Sequence, residues 1–154
     1  MRSLIYVLIA FGIAEVCLCR VVDPDENRNC TQVIESRGFI SETHYVTTKD
    51  GYTLRLFRIV NPYNKPSSGN ILRPVVLQHG LFAQGTDFLY GSPGGGPPVD
   101  PHNSSAKIGN NLGFVLSNLG YDVWLSNSRG TTYSRGHVRL DADKGRFKAA
   151  FFSS

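Results

Sequence analysis

An α/β fold is what this sequence predicts, with an antiparallel hairpin leading into a parallel sheet and a crossover helix. Three observations carry that expectation. Two alternating runs flank Asp50-Gly51 in "HYVTTKDGYTLRLFRIV". Two short apolar runs, Val75 to Leu77 and Val123 to Leu125, each stop at a polar turn. Between them, Leu112, Val115, Leu116 and Leu119 recur at i, i+3, i+4 and i+7, which is one face of a helix. Strand, helix, strand in that order implies a right-handed parallel crossover.

The elements follow in chain order. Arg2 precedes an uncharged apolar run, Leu4 to Ala14, and then Glu15 and the small side chains Cys17 and Cys19. That is the order of an export signal, and the run is too short to span a bilayer. Residues 1–19 read as a signal peptide and 20–31 as a polar leader, which predicts a secreted or lysosomal product. Removing the signal leaves no transmembrane segment and one cysteine, Cys30, which cannot form an internal disulfide. Thr31 to Arg37 suits one or two helical turns ended by Gly38. In the hairpin, Gly51 supplies the positive φ that a tight turn demands. A Pro/Asn/Ser loop, "NPYNKPSSGNILRP", comes next. Val75 to Leu77 is short and apolar enough for a central strand buried on both faces. The helix beyond can be capped by Asn110 or Asn111 and ended by Gly120. The Trp124 strand is expected to stand at the edge of the sheet.

Composition excludes several function classes. The chain is 41% hydrophobic and 18% charged, which favours a packed domain over disorder. Net charge is +4, and Arg129, Arg135, Arg139, Lys144, Arg146 and Lys148 lie late in the chain. Asp141 and Asp143 interrupt them, and no aromatics interleave as a base-stacking platform needs. No nucleic-acid partner is expected, and a solvated face suits these charges better than an anionic surface. His44, His79, His102 and His137 are scattered, and no pair has metal-ligand spacing, so no metal or other cofactor is expected. Gly94-Gly95-Gly96 is flanked by prolines and opens no helix, so it is no phosphate cradle. Asn29-Cys30-Thr31 and Asn103-Ser104-Ser105 are sequons, which makes Asn29 and Asn103 candidate glycan sites behind an export signal.

Position singles out two loops. In an open parallel sheet, ligands bind at the carboxyl ends of the strands. His79-Gly80-Leu81 and Asn127-Ser128-Arg129-Gly130 both sit at such ends. A glycine there lets the backbone turn and leaves peptide N–H groups pointing outward, able to hold a developing oxyanion. The same residues also suit a bare turn with a structural histidine, and the pattern alone leaves both readings open.

Three blocks add a resemblance. "ESRGFISETHYVTTKDGYTLRLFRI", "RPVVLQHGLFAQGTDF" and "LGYDVWLSNSRGTTYSRGH", in that order, resemble the start of the gastric and lysosomal acid lipases. The resemblance runs over residues 32–147 and implies the N-terminal part of an α/β-hydrolase lipase domain. It implies hydrolysis of acylglycerol or sterol esters by a Ser-Asp-His triad, with a lipid ester or lipid surface as partner. Carried over by residue, Gln78-His79-Gly80-Leu81 matches the oxyanion-loop motif. The backbone N–H of Leu81 would be one donor, Gly80 would permit the close approach, and His79 would be structural.

"SNSRG", Ser126 to Gly130, imitates a nucleophile elbow. The elbow must lead at once into a helix, and "TTYSRGH" is no helix start. The triad runs Ser, then Asp or Glu, then His, and no histidine follows Asp141 or Asp143. Asn127, Ser128, Arg129 and Gly130 are therefore expected at the rim of the site. No catalytic nucleophile, acid or base is recognised in the chain. Residues 148–154 depart from the family pattern and read as a divergent tail. Two function classes follow: the N-terminal part of a secreted serine lipase, or a catalytically inactive secreted lipase-like product that binds lipid or a partner or has no function. An ester-hydrolysis assay separates them.

Overall fold

The computed structural model describes residues 23–64, 71–90 and 111–144. Helix α1, Cys30–Ser36, starts at Asn29, whose side chain accepts from the Gln32 N–H at 3.0 Å. Gln32 returns the bond by accepting from the Asn29 N–H at 2.9 Å, which closes a capping box. Gly38, at φ +81°, ends the helix as the glycine signal anticipated. The helix buries Cys30, Val33 and Ile34. Burial pushes the Cys30 thiol up to about 12, because a thiolate there has no water around it. Cys30 is therefore expected to stay unalkylated by iodoacetamide at about pH 8 in the folded chain and to react once urea unfolds it. Peptide mass mapping reads both states.

Strands β1, Ile40–Thr47, and β2, Tyr52–Val60, pair antiparallel from Ile40↔Val60 to Thr47↔Thr53. The turn between them closes with the Thr48 N–H donating to the Tyr52 carbonyl at 2.8 Å. Gly51 holds φ +95° there, and a Cβ on it would lie 2.7 Å from Val138 Cγ2. Strand β3, Arg73–Leu77, runs parallel to β4, Tyr121–Leu125, with helix α2, Leu112–Asn118, between them in the chain. The short strand β5, Gly136–His137, adds to β2.

The order of the main path is β1-β2-β4-β3, which corrects two expectations. The Trp124 strand is interior, because β2 offers an open edge and Val123 and Leu125 match Ile59 and Phe57 across it. Among the described residues β3 is the edge instead, and Val76 is 60% exposed, so β3 is not buried on both faces.

Cross-strand partners point the same way. Phe57, Ile59, Val75, Leu77, Val123 and Leu125 therefore share one face. With Cys30, Val33, Ile34, Phe39, Leu89 and Phe114 they make the core, under the helices and a 3₁₀ turn at Gly85–Phe88. On the other face Arg58 donates to Asp122 at 2.6 Å and to Glu42 at 3.0 Å, and lies over the Trp124 ring. No helix of the described residues is long and apolar enough to cross a membrane.

Helix α2 turns inward only part of the face its leucines outline: Leu116 packs against the core, but the inner face is centred elsewhere. It buries Gly113, Phe114, Ser117 and Asn118, while Leu112 and Leu119 are 46% and 61% exposed. The cause is close approach: a Cβ on Gly113 would lie 3.0 Å from Ile59 Cδ1 and 3.1 Å from Leu89 Cδ2. Asn111 holds the N-cap position without a side-chain cap bond, and Gly120 ends the helix at φ +87°. Asn110, Asn103, His102 and Gly94 to Gly96 lie outside the described residues.

Candidate active site

Parallel pairing brings the carboxyl ends of β3 and β4 side by side, since Leu77 is the register partner of Leu125. The two loops that leave there are bonded to each other. The Ser126 N–H donates to the Leu77 carbonyl at 3.1 Å. Ser126 Oγ lies 2.7 Å from Gln78 Oε1, and Gln78 Nε2 donates to Ser128 Oγ at 2.9 Å. The Ser128 N–H donates to His79 Nε2 at 3.0 Å.

These bonds settle the state of His79. Nε2 accepts, so it carries no proton. Nδ1 lies 2.8 Å from the Gly80 carbonyl, so it carries the proton and donates. Both ring nitrogens are occupied, which leaves neither free to act as a base in this arrangement.

Gly80 to Ala83 forms a turn in which the Ala83 N–H donates to the Gly80 carbonyl at 3.3 Å. Phe82, third in that turn, holds φ +60°, a position that glycine ordinarily takes in a type II turn. The turn thrusts Leu81 and Phe82 outward, 84% and 100% exposed. Among the described residues nothing accepts from the Leu81 N–H. A Cβ on Gly80 would meet nothing within 4 Å. No packing within the described chain requires glycine there, and the space beside it is open.

The second loop divides by role. Asn127 is 1% exposed and works as a buried bolt. Its Oδ1 accepts from the Gly85 N–H at 2.9 Å and its Nδ2 donates to the Arg55 carbonyl at 3.0 Å. Ser134 Oγ donates to the Asn127 carbonyl at 2.8 Å and accepts from the Arg55 N–H at 2.9 Å. Ser128 faces the His79 loop. Arg129 turns away to the β1–β2 turn, where it donates to Asp50 at 2.6 Å and lies 4.6 Å from the Tyr52 ring centre. Gly130 holds φ +84° and its N–H donates to the Ser134 carbonyl at 2.9 Å.

Of the residues singled out from sequence, Gln78, His79, Gly80, Leu81 and Ser128 thus come together. Asn127 lies beneath them, and Arg129 and Gly130 face elsewhere. Ser126, Ser134 and Phe82 also contribute, in parts that no sequence pattern assigns them. Ser134 is fully buried and polar, a state no local pattern announces; the positive φ of Phe82 had no glycine to signal it.

The chemistry available is that of a strand end whose Leu81 N–H has no acceptor among the described residues, beside a glycine with open space at its Cβ position. An antiparallel entry hairpin, a parallel crossover and that loop define the opening portion of an α/β-hydrolase. Residues 30–92 match the family model described as a partial alpha/beta-hydrolase lipase region. The chain is 41% identical to mouse (Mus musculus) gastric triacylglycerol lipase over 150 residues, 95% of this chain and 34% of that protein. It is 40% identical to the human (Homo sapiens) gastric enzyme over 131 residues, 84% of this chain and 29% of that one. Human lysosomal acid lipase/cholesteryl ester hydrolase is 38% identical over 128 residues, 83% of this chain and 28% of its own length. Over most of its length the chain is similar to the gastric and lysosomal acid lipases. It spans about a third of the length of the curated relatives it matches, or less.

Proposed function

We propose that this chain is the N-terminal part of a secreted or lysosomal serine lipase that hydrolyses acylglycerol or sterol esters. Its contribution is half of the oxyanion hole. Acyl transfer puts negative charge on the carbonyl oxygen of the ester, and a fixed N–H in a dry site stabilises that charge by several kcal/mol. The Leu81 N–H is that donor, and the open space at Gly80 receives the oxygen. The second donor, the nucleophile and the Asp and His of the triad come from chain other than residues 23–144. The observation that carries this reading is the Leu81 N–H at the carboxyl end of β3, which has no acceptor among the described residues. Asn29 agrees with an exported chain: it is exposed and caps α1 through Oδ1, which leaves Nδ2, the atom a glycan takes.

The test is a graft in which this chain replaces the matching part of mouse gastric triacylglycerol lipase. Leu81→Pro removes the donor, and kcat on tributyrin is expected to fall by about 10²–10³ with KM little changed. An unchanged kcat overturns the assignment. The 154-residue chain alone is expected to leave p-nitrophenyl butyrate unhydrolysed. Turnover that disappears in Ser128→Ala would instead make Ser128 a nucleophile.

A further inference from the structure

The Leu81 N–H can serve an oxyanion only if its peptide plane is held. Gly80 is the worst residue for holding it, since glycine samples more backbone conformations than any other. Among the described residues, nothing beyond its chain neighbours would touch a Cβ at Gly80 within 4 Å. The turn bond from the Ala83 N–H to the Gly80 carbonyl is long, at 3.3 Å. One short bond remains, from His79 Nδ1 to the Gly80 carbonyl at 2.8 Å.

That carbonyl and the Leu81 N–H belong to one peptide unit. The unit is planar and trans, so the C=O and the N–H point in opposite directions. A donor that grips the carbonyl from one side therefore aims the N–H out of the other. We propose that His79 is a positioning residue: its Nδ1–H fixes the Gly80–Leu81 peptide and so aims the Leu81 N–H. The ring needs an anchor of its own, and the Ser128 N–H supplies it at Nε2, 3.0 Å away. That bond also selects the tautomer, because a proton on Nε2 would face the Ser128 N–H and leave Nδ1 without one to give. The alignment thus runs from the loop after β4, through the imidazole, to the loop after β3. This inference rests on the reading of Leu81 as an oxyanion donor.

The two functions of the ring can be separated by substitution. Asparagine places an amide N–H near the position of Nδ1 and nothing at Nε2. Glutamine reaches the position of Nε2 and leaves the Gly80 carbonyl ungripped. In the ¹⁵N-labelled 154-residue chain, long-range ¹H–¹⁵N spectra are expected to show His79 as the neutral Nδ1–H tautomer. The backbone order parameter of Leu81 is expected near about 0.85 in the parent and in His79→Asn, and below about 0.6 in His79→Gln. Val123 amide order and the melting temperature serve as the structural controls and should stay level across the series. An Nε2–H tautomer, or a Leu81 amide equally ordered in His79→Gln, overturns the proposal. In the graft, His79→Gln is expected to lower kcat about tenfold or more with KM held, and His79→Asn to restore most of it. If Leu81 loosens in His79→Gln while Leu81→Pro leaves kcat untouched, the oxyanion reading fails and the positioning role stands.

Discussion

Replacing Asn127 by leucine is expected to cost about 2–4 kcal/mol and to loosen the two loops that make the site. Leucine matches the branching and heavy-atom count of asparagine and removes both side-chain bonds. The Gly85 N–H and the Arg55 carbonyl then lose their partners, and each buried group left unpaired costs about 1–3 kcal/mol. The Ser134 bond to the Asn127 carbonyl survives, which is why the estimate stops short of complete unfolding. Asn127→Asp sharpens the test. It keeps an acceptor for Gly85 but sets a carboxylate oxygen against the Arg55 carbonyl in a site that is 1% exposed. It should be at least as damaging as leucine despite the closer shape. Urea unfolding followed by the single tryptophan, Trp124, reads both variants. A loss under about 1 kcal/mol in each would mean that water replaces the bolt without cost.

Asn127 also shows where sequence reading stops. The strand that leads to it was plain: Val123 and Leu125 are fully buried, and the polar turn begins where the apolar run ends. The hairpin was plain for a similar reason, because Asp50-Gly51 is a local signal and the Gly51 φ is a local fact. The residues after the strand were visible only as a polar cluster at a functional position. Which of them bolts, which faces the neighbouring loop and which turns away depends on partners far off in the chain. Arg55, Gly85 and Ser134 choose Asn127; Asp50 and Tyr52 choose Arg129; His79 chooses Ser128. The strand order failed for a related reason. Two short apolar runs look alike in isolation, and only cross-strand matching with β2 puts β4 inside and β3 at the edge.

Helix α2 gives the sharpest contrast between pattern and packing, and it can be measured. Phe114→Ala is expected to cost about 3–5 kcal/mol, and Leu119→Ala no more than about 0.5 kcal/mol. Hydropathy ranks them the other way, since Leu119 belongs to the regular leucine stripe and Phe114 lies beside it. Hydropathy gives no weight to small residues. Gly113 and Ser117, one turn apart, are both buried, and Gly113 lets the helix sit close to Ile59 of β2 and to Leu89. That closeness carries the Phe114 ring, 0% exposed, into the core at 4.9 Å from the Phe39 ring. Truncation removes the ring and leaves a cavity between α2 and the sheet, where Ile59 and Leu89 already press on Gly113. Phe39 sits between Gly38 and the first residue of β1, so a collapse into that cavity would disturb the entry to the hairpin as well as the helix. Equal losses in Phe114→Ala and Leu119→Ala would mean that the leucine stripe faces the core after all, and the helix would have to be turned on its axis.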